Sequence, residues 1–345
     1  MRNFIGTLSE VSRPPPRAPL RGGGRFLASA SCAPLFYFAL GLTLAVLLPL
    51  IPGFVYRGVL PRAAYSLLLD DTQEPRVTHV NVAPPACEGS GATHIHMLIS
   101  CVGGVSSKLA LTLPSNMRAL GAHLGTVYLL TSPEDDRIVR AAAGAAALGL
   151  SAGVEVFQSR IFTHRGAMLN MAGAKSWLHA TAAGACARAG RLDGAYFLSL
   201  DADVLLPLDF AGTAVPALEA AEARAAAQGA PPGATLYSMV REFFATPEDA
   251  AQGVRAPCPP PDRGGCEAFL GYFQLFSAAT RARFQPWSPD VAFYDNFFRE
   301  LFGNFTALPG KVAHLGKSGG DWTGIFVRDN DAWEGAAIKG YTHAR

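Results

Sequence analysis

The sequence predicts an α/β protein built on a mostly parallel sheet and held behind an N-terminal membrane anchor. Three observations predict this. β-like and helical stretches alternate from residue 93 onward, one apolar strand runs straight into a pair of carboxylates, and a long charge-free segment precedes them. The chain has 345 residues, half of them apolar, which is ample for one large core. Its 21 Phe, 9 Tyr and 4 Trp exclude wholesale disorder, and six Cys exclude a disulfide-dense miniprotein. The net charge of +2 divides unevenly: residues 1–62 carry seven Arg against the single acid Glu10, leaving 22 Lys and Arg against 26 Asp and Glu. The larger part is therefore mildly acidic and has no electrostatic footprint for nucleic acid.

The anchor comes first. Residues 26–56 contain no charge, and their apolar heart at 35–55 would span about 31 Å as a helix, enough for a bilayer. Five Arg precede it and only Arg57 and Arg62 follow closely, so the positive-inside rule puts residues 1–34 in the cytosol as a basic tail. A cleaved signal peptide is the competing reading. The apolar run is too long for one, the basic leader is long, and no A-x-A-like site follows. Residues 56–92 mix charges with the pair Pro84-Pro85 and show no sustained period, which reads as a stem. The folded domain is expected over 93–345.

Within that domain the elements follow in order. Residues 93–102 are β-like, 109–124 helical, and 125–130 a strand closing in Thr131-Ser132-Pro133. An Ala-rich helix over 134–150 opens on Glu134, Asp135 and Asp136, where the helix dipole favours acids. A short strand at 154–158 and a long helix at 166–189 lead to the buried strand 195–200. The second half is less regular: a helix at 214–228, a strand at 234–240, a loop between Cys258 and Cys266, a strand at 269–277, a helix at 291–302 and a strand at 311–315. Strands alternating with helices call for a mostly parallel sheet with its ligands at the strands' carboxyl ends.

The strand over 195–200 delivers Asp201 and Asp203 two residues apart, ahead of Leu206-Pro207. Two hard oxygen ligands at a sheet edge suit Mg2+ or Mn2+, and such an ion offsets charge on a phosphate leaving group without proton transfer. A strand end followed by a turn explains the same residues more plainly. The surrounding motifs go further. Asp201-Ala202-Asp203 resembles the D-x-D of glycosyltransferases with the GT-A fold. Phe162-Thr163-His164-Arg165-Gly166-Ala167-Met168-Leu169-Asn170 is similar to the F-N-K-G-A-A-L-N segment of family-2-like transferases. Leu236-Tyr237 to Arg241 resembles an L-Y-G-x-x-R strand, Gly271-Tyr272-Phe273-Gln274-Leu275-Phe276 a G-Y-F-Q-L-F segment, and Val312-Ala313-His314-Leu315-Gly316 with Asp321-Trp322-Thr323-Gly324 the closing v-H-L-G … N-W-x-G. The resemblance covers about 95–324, in order. His164-Arg165 in place of N-K, Ser238 in place of Gly and Asp321 in place of Asn depart from it.

That resemblance implies a GT-A domain, a nucleotide-diphosphate sugar as donor and a glycan, glycolipid or glycoprotein as acceptor. It makes Asp203 a metal ligand, Asp201 a contact to the donor ribose or the metal, and His314 a third metal ligand. Arg165 and Asn170 fall in its donor-side motif. Asp295, in Tyr294-Asp295-Asn296, is the candidate general base for the acceptor hydroxyl, which implies an inverting displacement. Asp135 or Asp136 could meet the nucleotide base, although an ordinary helix N-terminus accounts for both.

The remaining features carry less. His94 and His96 place two imidazoles on one strand face with no third ligand near in sequence, which favours a structural role. Cys258 and Cys266 enclose three Pro, and a loop disulfide there fits an oxidising lumen. The sequon Asn304-Phe305-Thr306 agrees with lumenal exposure, giving a type II protein of the Golgi or ER membrane. Two alternatives stay open: a nucleotidylyltransferase, whose basic loop after the first strand is represented here only by Lys108, and an inactive membrane-tethered sugar-binding protein.

Overall fold

The structure is a computed structural model that describes residues 77–79, 85–89, 92–101, 106–131, 135–149, 153–159, 171–258, 266–267, 271–280 and 298–316. The expected anchor at 35–55 lies outside them. Among the described residues no helix is long and apolar enough to cross a membrane.

Four strands make the parallel block. β2 (His94–Ser100) pairs in parallel with β3 (Leu124–Thr131) and with β5 (Ala195–Leu200), and β3 pairs in parallel with β4 (Val154–Ser159). β2, β3 and β5 are buried along their whole length, which is why they read as unbroken apolar runs rather than alternating ones. A short β1 (Val77–His79) closes one edge antiparallel to β4. Beyond β5 the sheet turns mixed. β8 (Phe273–Ser277) lies antiparallel to β5 and to β7 (Thr235–Phe244), β9 (Asn304–Leu315) runs parallel to β7, and β6 (Val204–Leu205) pairs antiparallel with β9. Among the described residues the nine strands are ordered β1-β4-β3-β2-β5-β8-β7-β9-β6, so β5 sits at the centre.

The strand period of two sends alternate residues of β2 to opposite faces. Ile95, Met97 and Ile99 face a cluster built from three helices. These are α1 (Ser106–Leu120), with Leu109, Leu113 and Met117, α2 (Asp136–Ala146), with Ile138, Ala142 and Ala145, and α4 (Phe210–Ala227), with Phe210, Ala214 and Leu218. Leu98 joins the other face, where α3 (Met171–Arg188) contributes Ala174, Leu178, Ala182 and Cys186. Each set repeats at three to four residues, the spacing of one helix stripe. The result is a three-layer α/β/α arrangement. A short α5 (Pro247–Gln252) follows β7, capped by the Thr246 hydroxyl, which accepts from the Asp249 N–H at 3.1 Å, and closed by Gly253 at φ +71°.

Two features depart from the sequence expectation. β9 begins at Asn304, seven residues before the predicted strand, because Pro309-Gly310 interrupts the pattern. The strand absorbs that break where the β7–β9 register shifts between Ser238 and Val240, with Gly310 at φ +93°. The segment read as a stem also reaches the sheet. Cys87 forms a disulfide with Cys186 at the end of α3, 99 residues away, and the Glu88 N–H donates to the Thr126 hydroxyl at 3.0 Å. The expected Cys258–Cys266 loop disulfide is present.

Candidate active site

The carboxylates sit where β5 ends. The Asp201 N–H donates to the Tyr272 carbonyl at 3.1 Å, and the Val204 N–H returns to the Asp201 carbonyl at 3.2 Å, closing a tight turn over 201–204. α1 pins this turn from below. Thr112 donates its hydroxyl to the Ala202 carbonyl at 2.7 Å. Asn116 donates to the Val204 carbonyl and accepts from the Leu206 N–H, both at 2.8 Å. Lys108, Thr112 and Asn116 are spaced four apart and so share one stripe of α1, and all three are buried. From the other side, β9 brings His314 opposite Val204, and the Leu315 N–H donates to the Asp203 carbonyl at 2.9 Å.

Each carboxylate faces a lysine. Lys108 Nζ lies 3.9 Å from Asp203 Oδ2, and Lys175 Nζ lies 3.5 Å from Asp201 Oδ1 while donating to the Gly271 carbonyl at 3.3 Å. Asp203 Oδ1 is also 3.6 Å from His314 Nε2. All three gaps exceed the 2.7–2.9 Å of a tight charge-assisted hydrogen bond. The two acids differ in exposure: the Asp201 side chain is 25% exposed and that of Asp203 11%. Burial raises the Asp201 carboxyl above its ordinary range, Lys175 opposes that, and Asp203 adds to it. Burial lowers the His314 imidazole against the pull of Asp203, so the ring is neutral at physiological pH.

Arg241 completes the cluster. Its guanidinium lies 4.6 Å from the centre of the Phe243 ring and 4.5 Å from that of Tyr272. Tyr272 is fixed by its hydroxyl, which sits 2.6 Å from the Met239 carbonyl and 2.8 Å from that of Glu267. Phe243 in turn packs on His314 with ring centroids 5.1 Å apart. The Arg241 charge acts on both Asp201 and Asp203.

Of the predicted site residues, the structure brings together Asp201, Asp203 and His314. Asp203 Oδ1 and His314 Nε2 stand 3.6 Å apart, with Asp201 beside them at the same turn. The donor chemistry of that pair suits Mn2+ or Mg2+. It offers hard carboxylate oxygens, a neutral imidazole and a His314 Nδ1 that has no hydrogen-bond partner among the described residues. Asp135 is the N-cap of α2, accepting from the Ile138 N–H at 3.3 Å, and Asp136 is the first helical residue, exposed. Arg165, Asn170 and Asp295 lie outside the described residues.

Sequence reasoning missed Lys175 and gave Lys108, Thr112 and Asn116 no part in the site. The available signal was three polar residues four apart on a helix whose neighbouring stripe is Leu109, Leu113 and Met117.

His94 and His96 lie elsewhere, on the half of β2 remote from its carboxyl end. His96 Nδ1 accepts from the Thr126 N–H at 2.9 Å, which leaves the ring proton on Nε2, 3.4 Å from Cys87 Sγ and 3.7 Å from Cys186 Sγ. These three ligand atoms lie within 4.8 Å of one another. With the sulfurs bonded to each other and the imidazole donating toward them, the group is a buried staple, in line with the structural role expected for the histidine pair.

No family model and no curated protein matches the chain. Among solved structures it is similar to S. aureus TarS 1-349, at 10% identity and a TM-score of 0.38 over 67% of this chain and 62% of that one. A second TarS structure matches at 9% identity, with a TM-score of 0.38 over 67% and 38%. Glucosyl-3-phosphoglycerate synthase from Mycobacterium tuberculosis, in complex with phosphoglyceric acid, matches at 14% identity and a TM-score of 0.33 over 65% and 73%. The chain thus spans less than two thirds of the length of TarS that it matches.

Proposed function

We propose that the chain is a membrane-anchored glycosyltransferase that moves a sugar from a nucleoside-diphosphate donor to a hydroxyl acceptor. The observation that carries this is the carboxylate pair Asp201 and Asp203, held at the carboxyl end of the central strand with His314, Lys108 and Lys175 around it. An open α/β sheet binds its ligand at that edge. Asp203 and His314 would hold a divalent ion, with Asp201 beside them. Such an ion, when bound, supplies Lewis-acid stabilisation of charge on a departing diphosphate. Asn116 and Thr112 keep the turn rigid, so the carboxylates are in place before the donor arrives. Arg165 and Asn170 are proposed donor contacts, as is Asp135 or Asp136 for the base, and Asp295 is the proposed general base of an inverting reaction. The anchor at 35–55 would put the domain in the Golgi or ER lumen. The exposed side chain of Asn304 in the sequon is compatible with that.

The test is a panel of nucleotide sugars and simple acceptors, run with and without EDTA. Transfer that stops with EDTA and in Asp203→Asn, at an unchanged melting temperature, is the expected result. Nucleotide transfer from a triphosphate, or full activity in Asp203→Asn, would overturn the assignment. NMR of the product's anomeric centre decides inversion, and retention removes Asp295 as the base.

A further inference from the structure

The strand β9 carries the sequon, and its outer edge takes no part in the chemistry above. β7 borders β9 on one side along most of its length, whereas β6 borders it on the other only at Ala313 and His314. Over 304–312 that outer edge has no strand partner among the described residues. A row of backbone donors and acceptors at a sheet edge templates pairing with other chains, and folded proteins blunt such edges with proline, bulges or charge.

One half of this edge is blunted in all three ways. Pro309 has no N–H to offer, Gly310 at φ +93° lies at the register shift, and Lys311 is exposed and charged. Residues 304–308 have none of these devices. They contain no charge and no proline, Phe305 is 47% exposed, Ala307 is exposed, and Leu301 just ahead of them is 49% exposed. What this half has instead is Asn304-Phe305-Thr306, an acceptor sequence for N-linked oligosaccharide. Asn304 is the exposed first residue of the strand, and its backbone N–H is tied to the Ala234 carbonyl at 3.2 Å. A sugar attached there is therefore fixed to the sheet and kept at its rim. The strand period also places the Asn304 amide and the Thr306 hydroxyl on one face.

We infer that Asn304 carries an N-linked glycan that shields the half of the β9 edge left bare by proline, bulge and charge. The Asn304 amide nitrogen forms a bond to the anomeric carbon of an oligosaccharide supplied on a lipid diphosphate. The bond from that carbon to the diphosphate oxygen breaks, the lipid diphosphate leaves, and the amide gives up one proton. This rests on the lumenal placement in the proposed function and not on the transferase activity.

The experiment expresses the full-length chain in a eukaryotic secretory cell and follows its mobility before and after treatment with a peptide N-glycosidase. A reporter variant, Gln228→Asn with Ala230→Thr, sets a second sequon at exposed positions just past α4 and reads topology independently. The wild type should show one glycosidase-sensitive step, kept in Thr306→Ser and absent in Asn304→Gln and Thr306→Ala, and the reporter should show two. A reporter modified only at 228 overturns the inference and leaves the domain lumenal. A reporter modified nowhere removes the lumenal placement and the inference with it, while the donor panel decides the enzyme reading separately. In detergent, Asn304→Gln should sediment faster than the wild type as concentration rises, and Ala307→Lys in that background should reverse the change. Asn304→Gln that sediments like the wild type at every concentration overturns the shielding.

Discussion

Acid should unfold this protein through His96, and the size of the effect follows from where the ring sits. The side chain is fully buried between β2 and the Cys87–Cys186 staple, with the Thr126 N–H donating to Nδ1. Burial, reinforced by the neighbouring charges of His94 and Arg191, pushes its pKa from 6.5 down to about 3. The folded chain therefore binds a proton at His96 less readily than the unfolded chain. This stabilisation is complete above 6.5 and is lost as pH falls toward about 3. The whole interval is worth about 5 kcal/mol, and a drop from about pH 7.5 to about pH 5 removes about 2 kcal/mol of it. Urea unfolding followed by tryptophan fluorescence at those two pH values measures the loss. In His96→Gln, which can still accept from Thr126, the acid-dependent part should fall by about 2 kcal/mol, while contributions from the other histidines persist in both proteins. Equal pH dependence in wild type and variant would refute the argument, as would a His96 ring whose nitrogen shifts show protonation near pH 6.

Two further outcomes test the frame around the site. Asn116→Ala leaves the Val204 carbonyl and the Leu206 N–H buried without their partner, so stability should fall by about 2–4 kcal/mol in denaturant titrations, and activity should fall further than that loss explains. Cys186→Ser opens a loop closed over 99 residues, with an expected loss of about 3–5 kcal/mol, and melting curves with and without reductant should then converge for that bond.

The parallel half of the fold was legible because its strands are buried on both faces and its helices repeat at three to four residues. The strand at 195–200 was placed to the residue, and the carboxylates at its end were found from that alone. The mixed half was harder. Pro309-Gly310 hid seven residues of β9, since a proline removes a donor and reads as a break, whereas the sheet accommodates it at a register shift. Cys87 and Cys186 could not be paired from spacing, because 99 residues separate them and only the sheet brings the incoming chain against the end of α3. Lys175 was invisible for a related reason: nothing in the local pattern of α3 says that its fifth residue reaches Asp201.

The missed residues share a physical character that links the fold to its chemistry. Lys108, Thr112 and Asn116 occupy a helix stripe that a purely structural α1 would fill with apolar side chains like Leu109 and Leu113. Asn116 and Thr112 spend three hydrogen bonds on the backbone of the 201–206 turn, and Lys108 sets a buried charge beside Asp203. A turn that served only to end a strand would need none of these, because water or the backbone itself satisfies such groups at an exposed edge. Local rules are broken where a site is built, so the polar stripe, the buried lysines and the acids they face point to the same edge of the sheet.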